Sequence, residues 1–171
     1  LPPRRIFRWA GLRVGLGGFV IVRIFTDDGL CGIGEATPLP DWGGDHGRHS
    51  GETQKSVVTM IEDVLAPALI GSDPLAIERA RTTMNKYLRG NTYAKTAIDI
   101  ALHDIKGKVA GLPLYQLLGG LYRDRVAVSH MVGIMPNDEA VEEARGAVAD
   151  GIRALQIKGG ENPRRDVSLV R

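Results

Sequence analysis

From residue 125 onward the chain alternates strand and helix, and that alternation restricts the fold more than any other feature. Arg125 to Val132 reads as a strand. Asn137 caps a helix to about Asp150, Ile152 to Lys158 reads as a second strand, and a helix opens at Asn162-Pro163 and continues to Arg171. Strands separated by helices form parallel sheets, as a closed barrel or a doubly wound sheet, and such crossovers are almost always right-handed. The second strand lies in Gly-Ile-Arg-Ala-Leu-Gln-Ile-Lys-Gly-Gly, residues 151–160. Side chains alternate along a strand, so Leu155 and Ile157 share one face while Gln156 and Lys158 share the other. An amine on the polar face, followed by two glycines, suits the inside of a closed parallel barrel at its functional rim. A lysine there is a candidate proton-transfer base, because partial burial and nearby cations lower an amine's pKa toward neutrality. A lone strand-end lysine is more commonly a snorkelling side chain, and the upstream segments decide between the two.

Those segments follow a different pattern. Phe19 to Phe25 is an apolar, β-branched run interrupted by Arg23. Asp28-Gly29 then marks a hairpin turn, with Leu30 to Ala36 returning; Ile6 to Trp9 is expected to add a third strand. Gly15, Gly17 and Gly18 read as a connection rather than a phosphate loop, because a strand and not a helix follows them. Residues 37–51 are too rich in Pro and Gly for regular structure. They carry Trp42, Asp45, His46 and His49, and they read either as an active-site lid or as a solvated loop. The spacing of Asp45, His46 and His49 matches no standard metal site.

Helices come next. Val57, Met60, Ile61, Val64 and Leu65 repeat with helical period across Thr53 to Leu69, with Pro67 expected to distort the last turn. Asp73-Pro74 is expected to open a second helix reaching about Leu88. Asn91 is expected to cap a third, whose stripe is Ala94, Ala97, Ile98, Ala101, Leu102, Ile105 and Val109. His103 lies off that stripe and reads as a polar neighbour rather than a ligand. Gly111 ends the helix, and Pro113 starts a short one closed by Gly119-Gly120.

Composition removes several function classes. Twenty-two basic against twenty acidic residues leave a net charge of +2, and no basic stripe with interleaved aromatics is present, so no nucleic-acid partner is expected. No stretch is long and apolar enough to span a bilayer, and no apolar signal core follows Leu-Pro-Pro-Arg-Arg, so no membrane partner is expected either. The single cysteine, Cys31, fits core packing in a reducing, cytoplasmic compartment. Position 1 is not Met, so further residues are expected to precede it.

Three blocks carry a resemblance. They are the hairpin from Val22 to Ala36, the helix from Asn91 to Lys108 with its continuation Gly111-Leu112-Pro113-Leu114-Tyr115-Gln116-Leu117-Leu118-Gly119-Gly120, and the strand ending at Lys158. In this order they resemble the mandelate racemase and muconate lactonizing enzyme branch of the enolase superfamily. The resemblance implies an α+β N-terminal capping domain over residues 1–123, with a three-stranded antiparallel sheet plus helices. It implies that residues 124–171 begin a TIM-like β/α barrel. It also implies Mg2+, a small-molecule carboxylate substrate, abstraction of a proton alpha to that carboxylate, and self-association into a homo-oligomer.

Residue by residue, Lys158 matches the second lysine of the family's Lys-x-Lys strand end, which is the usual base. Gln156 replaces the first lysine, so a dipole stands where a second ammonium would depress the pKa of Lys158. Trp42 and His46 correspond to the substrate-facing loop, and Ser129, His130 and Met131 to a pocket-lining strand end. His130 reads either as a catalytic acid or as a packing and hydrogen-bonding residue. A complete barrel takes roughly 250 residues and eight β/α units, of which about two are present. The family's metal carboxylates lie on later strands; Glu35, Asp99 and Glu161 are poor substitutes, and no metal ligand is assigned. The chain alone is therefore expected to be inactive. The resemblance leaves three functions open: a racemase, epimerase or acid-sugar dehydratase; a muconate-type cycloisomerase; or a non-catalytic capping and oligomerisation fragment.

Overall fold

Hydrophobic alternation in Val20–Phe25 turns Val20, Val22 and Ile24 inward and leaves Ile21, Arg23 and Phe25 exposed. This strand, β1, pairs antiparallel with β2, Cys31–Ala36, in the register Val20↔Ala36 to Phe25↔Cys31. The computed structural model describes residues 18–40 and 51–171. The sheet has these two strands among the described residues, and the third strand expected at Ile6 to Trp9 lies outside them. The turn falls where Asp28-Gly29 places it. Gly29 adopts φ +87°, a conformation that costs a residue with a Cβ about 1 kcal/mol or more.

The described residues divide into two units, 18–122 and Arg123–Arg171. In the first, α4 (Thr92–Ala110) lies directly against β2, which offers glycine there rather than side chains. A Cβ on Gly34 would lie 2.9 Å from the Ala97 carbonyl carbon and closer still to its oxygen, and Gly32 is similarly pressed against Ala101. The buried stripe is Ala94, Ala97, Ile98, Ala101, Leu102 and Ile105. Val109 was expected to continue it but is 51% exposed, because α4 has by then passed the Cys31 end of β2. There the helix contributes polar groups instead. Asp104 Oδ2 accepts the Ile33 N–H at 2.9 Å, and Lys108 Nζ donates to the Cys31 carbonyl at 2.6 Å and to Asp104 at 2.8 Å. The Lys108 ammonium, then the Ile33 amide, hold the Asp104 carboxyl below its ordinary value.

Three more helical segments complete this core. Helix α1 (Gln54–Met60) starts at a capping box between Thr53 and Ser56. It widens into a π turn over Ile61–Leu65 before α2 (Ala66–Leu69). The Ala66 N–H donates to the Ile61 carbonyl, five residues back, just before Pro67, which has no N–H to give. The expected distortion at Pro67 thus takes the form of a π turn. Leu65, fully buried in that turn, contributes about 1.5–3 kcal/mol by its removal from water.

Helix α3 is Ile77–Tyr87 and does not start at Asp73-Pro74. Asp73 instead closes a separate turn, its carboxylate accepting the Leu75 N–H and its carbonyl the Ala76 N–H. Asn91 stands at the cap position of α4 in a left-handed conformation, with its amide donating to the Arg89 carbonyl. The cap comes from afar. Buried Glu52 accepts the Tyr93 N–H at 2.8 Å and the Ala94 N–H at 3.2 Å, where the helix dipole favours an anion. Lys95 donates to the Leu88 carbonyl and to Asn85, joining α3 to α4; burial first, then Arg89, lowers its pKa. Gly111 ends α4 at φ +63°, and α5 (Leu114–Leu117) follows Pro113.

In the second unit β3 (Ser129–Val132) and β4 (Ala154–Ile157) pair in parallel, with α6 (Asn137–Ala149) between them and α7 (Pro163–Val170) after them. Both strands are shorter than the sequence suggests: only Ser129–Val132 and Ala154–Ile157 pair, and residues 125–128 stay exposed. Asn137 is the first residue of α6, with Pro136 at the cap position. Helix α7 opens at Asn162-Pro163 as expected, and Asn162 caps it, its Oδ1 accepting the N–H groups of Arg164 and Arg165.

Candidate functional site

The parallel ladder sorts the strand residues onto two faces. Its register is Ser129↔Ala154, His130↔Leu155, Met131↔Gln156 and Val132↔Ile157. One face turns to the helices: Val132, Leu155 and Ile157 line an apolar cleft with Ala140 and Ala144 of α6 and Leu169 of α7. His130 shares that face by alternation. Its Nε2 lies 2.7 Å from Glu143 Oε1 on α6, and both side chains are largely buried.

The opposite face carries Met131, Gln156 and Lys158. The Lys158 N–H donates to the Val132 carbonyl at 2.9 Å, so its backbone still belongs to the ladder and its side chain projects away from the helices. Lys158 is partly buried, and its amine has no hydrogen-bond or ion-pair partner among the described residues. Lys158 and Gln156 are thus brought together on one face, while His130 is held apart from them against Glu143. Trp42 and His46, with Asp45 and His49, lie outside the described residues.

Gly159 and Gly160 follow the lysine, and the Gly160 N–H donates to Asp166 Oδ2 on α7 at 2.7 Å. The neighbouring Arg165 donates to the Met135 carbonyl in the loop after β3 and lies 3.4 Å from Asp166 Oδ1. Reading the sequence did not single out Arg165 or Asp166. The only local signal was an acidic residue in the first turn of a helix, which helix dipoles favour everywhere.

No three or more His, Cys, Asp or Glu side chains are grouped to hold a metal ion among the described residues. Glu35 accepts from Thr37, and Asp99 lies 3.4 Å from His103. The described residues therefore do not form a magnesium site. Nor is any helix among them long and apolar enough to cross a membrane.

Residues 3–119 match the family model for the N-terminal domain of mandelate racemase / muconate lactonizing enzyme. The chain belongs to this family. Among curated relatives, the N-succinyl-L-Arg/Lys racemase of Bacillus cereus is 36% identical over 151 residues, covering 88% of this chain and 39% of the relative. Among solved structures, muconate lactonizing enzyme of Mycobacterium smegmatis, complexed with muconolactone, superposes with a TM-score of 0.86. It is 38% identical, over 99% of this chain and 44% of that one. A dipeptide epimerase of Enterococcus faecalis, complexed with Mg and L-Leu-L-Tyr, gives a TM-score of 0.81 at 34% identity, over 98% and 45%. Other relatives in the mandelate racemase and muconate lactonizing enzyme family bear the names of epimerases, cycloisomerases and dehydratases. The chain spans less than half the length of these relatives. The described residues up to 119, with their sheet and helices, correspond to the capping-domain region of enolase-superfamily enzymes.

Proposed function

We propose that this chain is the N-terminal portion of an enzyme that removes a proton alpha to a carboxylate, acting as a racemase, epimerase or acid-sugar dehydratase, and that Lys158 is the base. The observation that carries the proposal is the placement of Lys158. Its amine stands at the end of a parallel strand, on the face turned away from the helices, partly buried and without a partner among the described residues. A neutral amine there accepts the proton from carbon, and the electron pair left behind moves toward the substrate carboxylate. Gln156, two residues earlier on the same face, offers an amide dipole that can hold the substrate or orient the amine without adding charge.

Magnesium is expected in the whole enzyme and would neutralise charge on the substrate carboxylate. The described residues supply no ligand set for it, so no step here is assigned to it. His130 takes a packing and hydrogen-bonding role in this reading, since it pairs with Glu143 on the helix face.

A muconate-type cycloisomerase is the second reading, favoured by the likeness to muconate lactonizing enzyme. Both readings use the same amine. The test takes the full-length protein with and without magnesium in deuterated water, with N-succinyl amino acids, dipeptides, acid sugars and muconate as probes. Deuterium entering at the alpha carbon, and lost in Lys158→Ala, is the expected result. Exchange that survives Lys158→Ala unchanged removes the lysine from the role of base.

A further inference from the structure

Two consecutive glycines after Lys158 call for a physical reason, and each has its own. Gly160 sits at φ +108°, a conformation that side chains rarely adopt. Gly159 has a steric reason: a Cβ there would lie 2.7 Å from Asp166 Oδ2 and 2.8 Å from its Cγ. The carboxylate of Asp166 thus fills the space a side chain at 159 would need, and from there it accepts the Gly160 N–H at 2.7 Å.

Asp166 is itself held in place. Its N–H donates to the Asn162 carbonyl, and Asn162 caps the helix through the N–H groups of Arg164 and Arg165. Arg165 lies 3.4 Å from the second carboxylate oxygen and donates to the Met135 carbonyl. One carboxylate and one guanidinium therefore tie together the loops that follow both strands. The side chains are only 20% and 26% exposed for Arg165 and Asp166, so water competes weakly for these bonds.

We propose that Asp166 is a positioning residue for the Lys158 amine: by clamping the Gly159–Gly160 turn against α7, it sets the direction in which the lysine leaves the strand. The inference rests on the reading of Lys158 as the base. A lysine has a flexible four-carbon stem. Where its amine points depends on the backbone at its root, and that backbone runs straight into the clamped turn.

The test does not depend on activity. Lysine amines of the 171-residue chain are reductively methylated with 13C-formaldehyde, and the Lys158 methyl signal is assigned by its loss in Lys158→Arg. In the unaltered chain this signal is expected apart from those of exposed lysines. Asp166→Ala shifts it toward them, and Asp166→Asn, which keeps an acceptor for the Gly160 N–H, restores most of its position. Gly159→Ala produces the same shift alone and adds little to Asp166→Ala, because the two changes break one contact. A merely structural role for Asp166 lowers the melting temperature and leaves the signal of the folded protein where it was; that result overturns the inference. If Asp166→Ala does not fold, Asp166→Asn and Gly159→Ala decide by the same signal. A signal that moves, combined with alpha exchange indifferent to Lys158→Ala, keeps the clamp and discards the base. An unmoved signal with exchange lost in Lys158→Ala does the reverse.

Discussion

The contact between β2 and α4 can be broken with one methyl group. Gly34→Ala places a Cβ 2.9 Å from the Ala97 carbonyl carbon and 3.0 Å from the Ala101 amide nitrogen, with the Ala97 oxygen nearer still. These are backbone atoms in the middle of a helix, so no side-chain rotation relieves the clash. The helix has to retreat by on the order of 1 Å, and a gap of that size forfeits a quarter to a half of the dispersion energy across it. The stripe from Ala94 to Ile105 loses close packing along its length. The resulting penalty is about 3 kcal/mol, at the upper end of overpacking costs. For a chain of this size that lowers the melting temperature by roughly 6–12 °C. Circular dichroism on thermal and urea unfolding measures it. Gly71→Ala is the control, since Gly71 has φ +79° and nothing within 4 Å of its would-be Cβ. It is expected to lose only the conformational term of about 1 kcal/mol. A Gly34→Ala loss below about 1 kcal/mol, or one equal to that of Gly71→Ala, refutes the steric reasoning.

Two further expectations concern charges at α4. Glu52→Gln keeps the shape but removes the charge and one of the oxygens that accept the Tyr93 and Ala94 N–H groups. It is expected to cost about 1–2 kcal/mol in urea unfolding, and a change lost in the error would show that Glu52 is not the cap. Asp104 is held below its usual 3.8 by Lys108 and the Ile33 amide. Between its folded value and 3.8 the unfolded chain binds more protons, so this contribution is complete above 3.8 and lost as pH falls through the folded value. The pair is partly exposed, which limits the contribution to about 0.5 kcal/mol. Asp104→Asn removes that share of the acid slope, and an identical slope in variant and parent refutes it.

Much of the architecture was legible because its causes are local. Alternation marks β1 and β4, Asp28-Gly29 requires a turn, and the spacing from Ala94 to Ile105 requires an apolar helical stripe. Boundaries failed where a local signal had a local competitor. Asp73-Pro74 is a good helix opening and an equally good isolated turn, and the structure uses the turn. Asn91 has the chemistry of a cap, but its left-handed backbone turns the amide toward Arg89. The candidate site divides in the same way. Period two places Gln156 and Lys158 together on one face, as the structure has them. His130 carried no mark of whether it faces a substrate or a helix, because a four-residue strand has no register until it is paired.

What the residues determine unaided is the order and kind of the elements, the membership of the family, and the face on which the lysine stands. These depend on periodicity and on turn chemistry within a few positions of each other. Tertiary structure alone decides that Glu52 caps a helix some forty residues away, that Gly34 admits the backbone of Ala97, that His130 pairs with Glu143, and that Asp166 closes over Gly159. Each of these joins residues with no spacing rule between them. A charge or a missing methyl becomes specific only when folding brings its partner within reach.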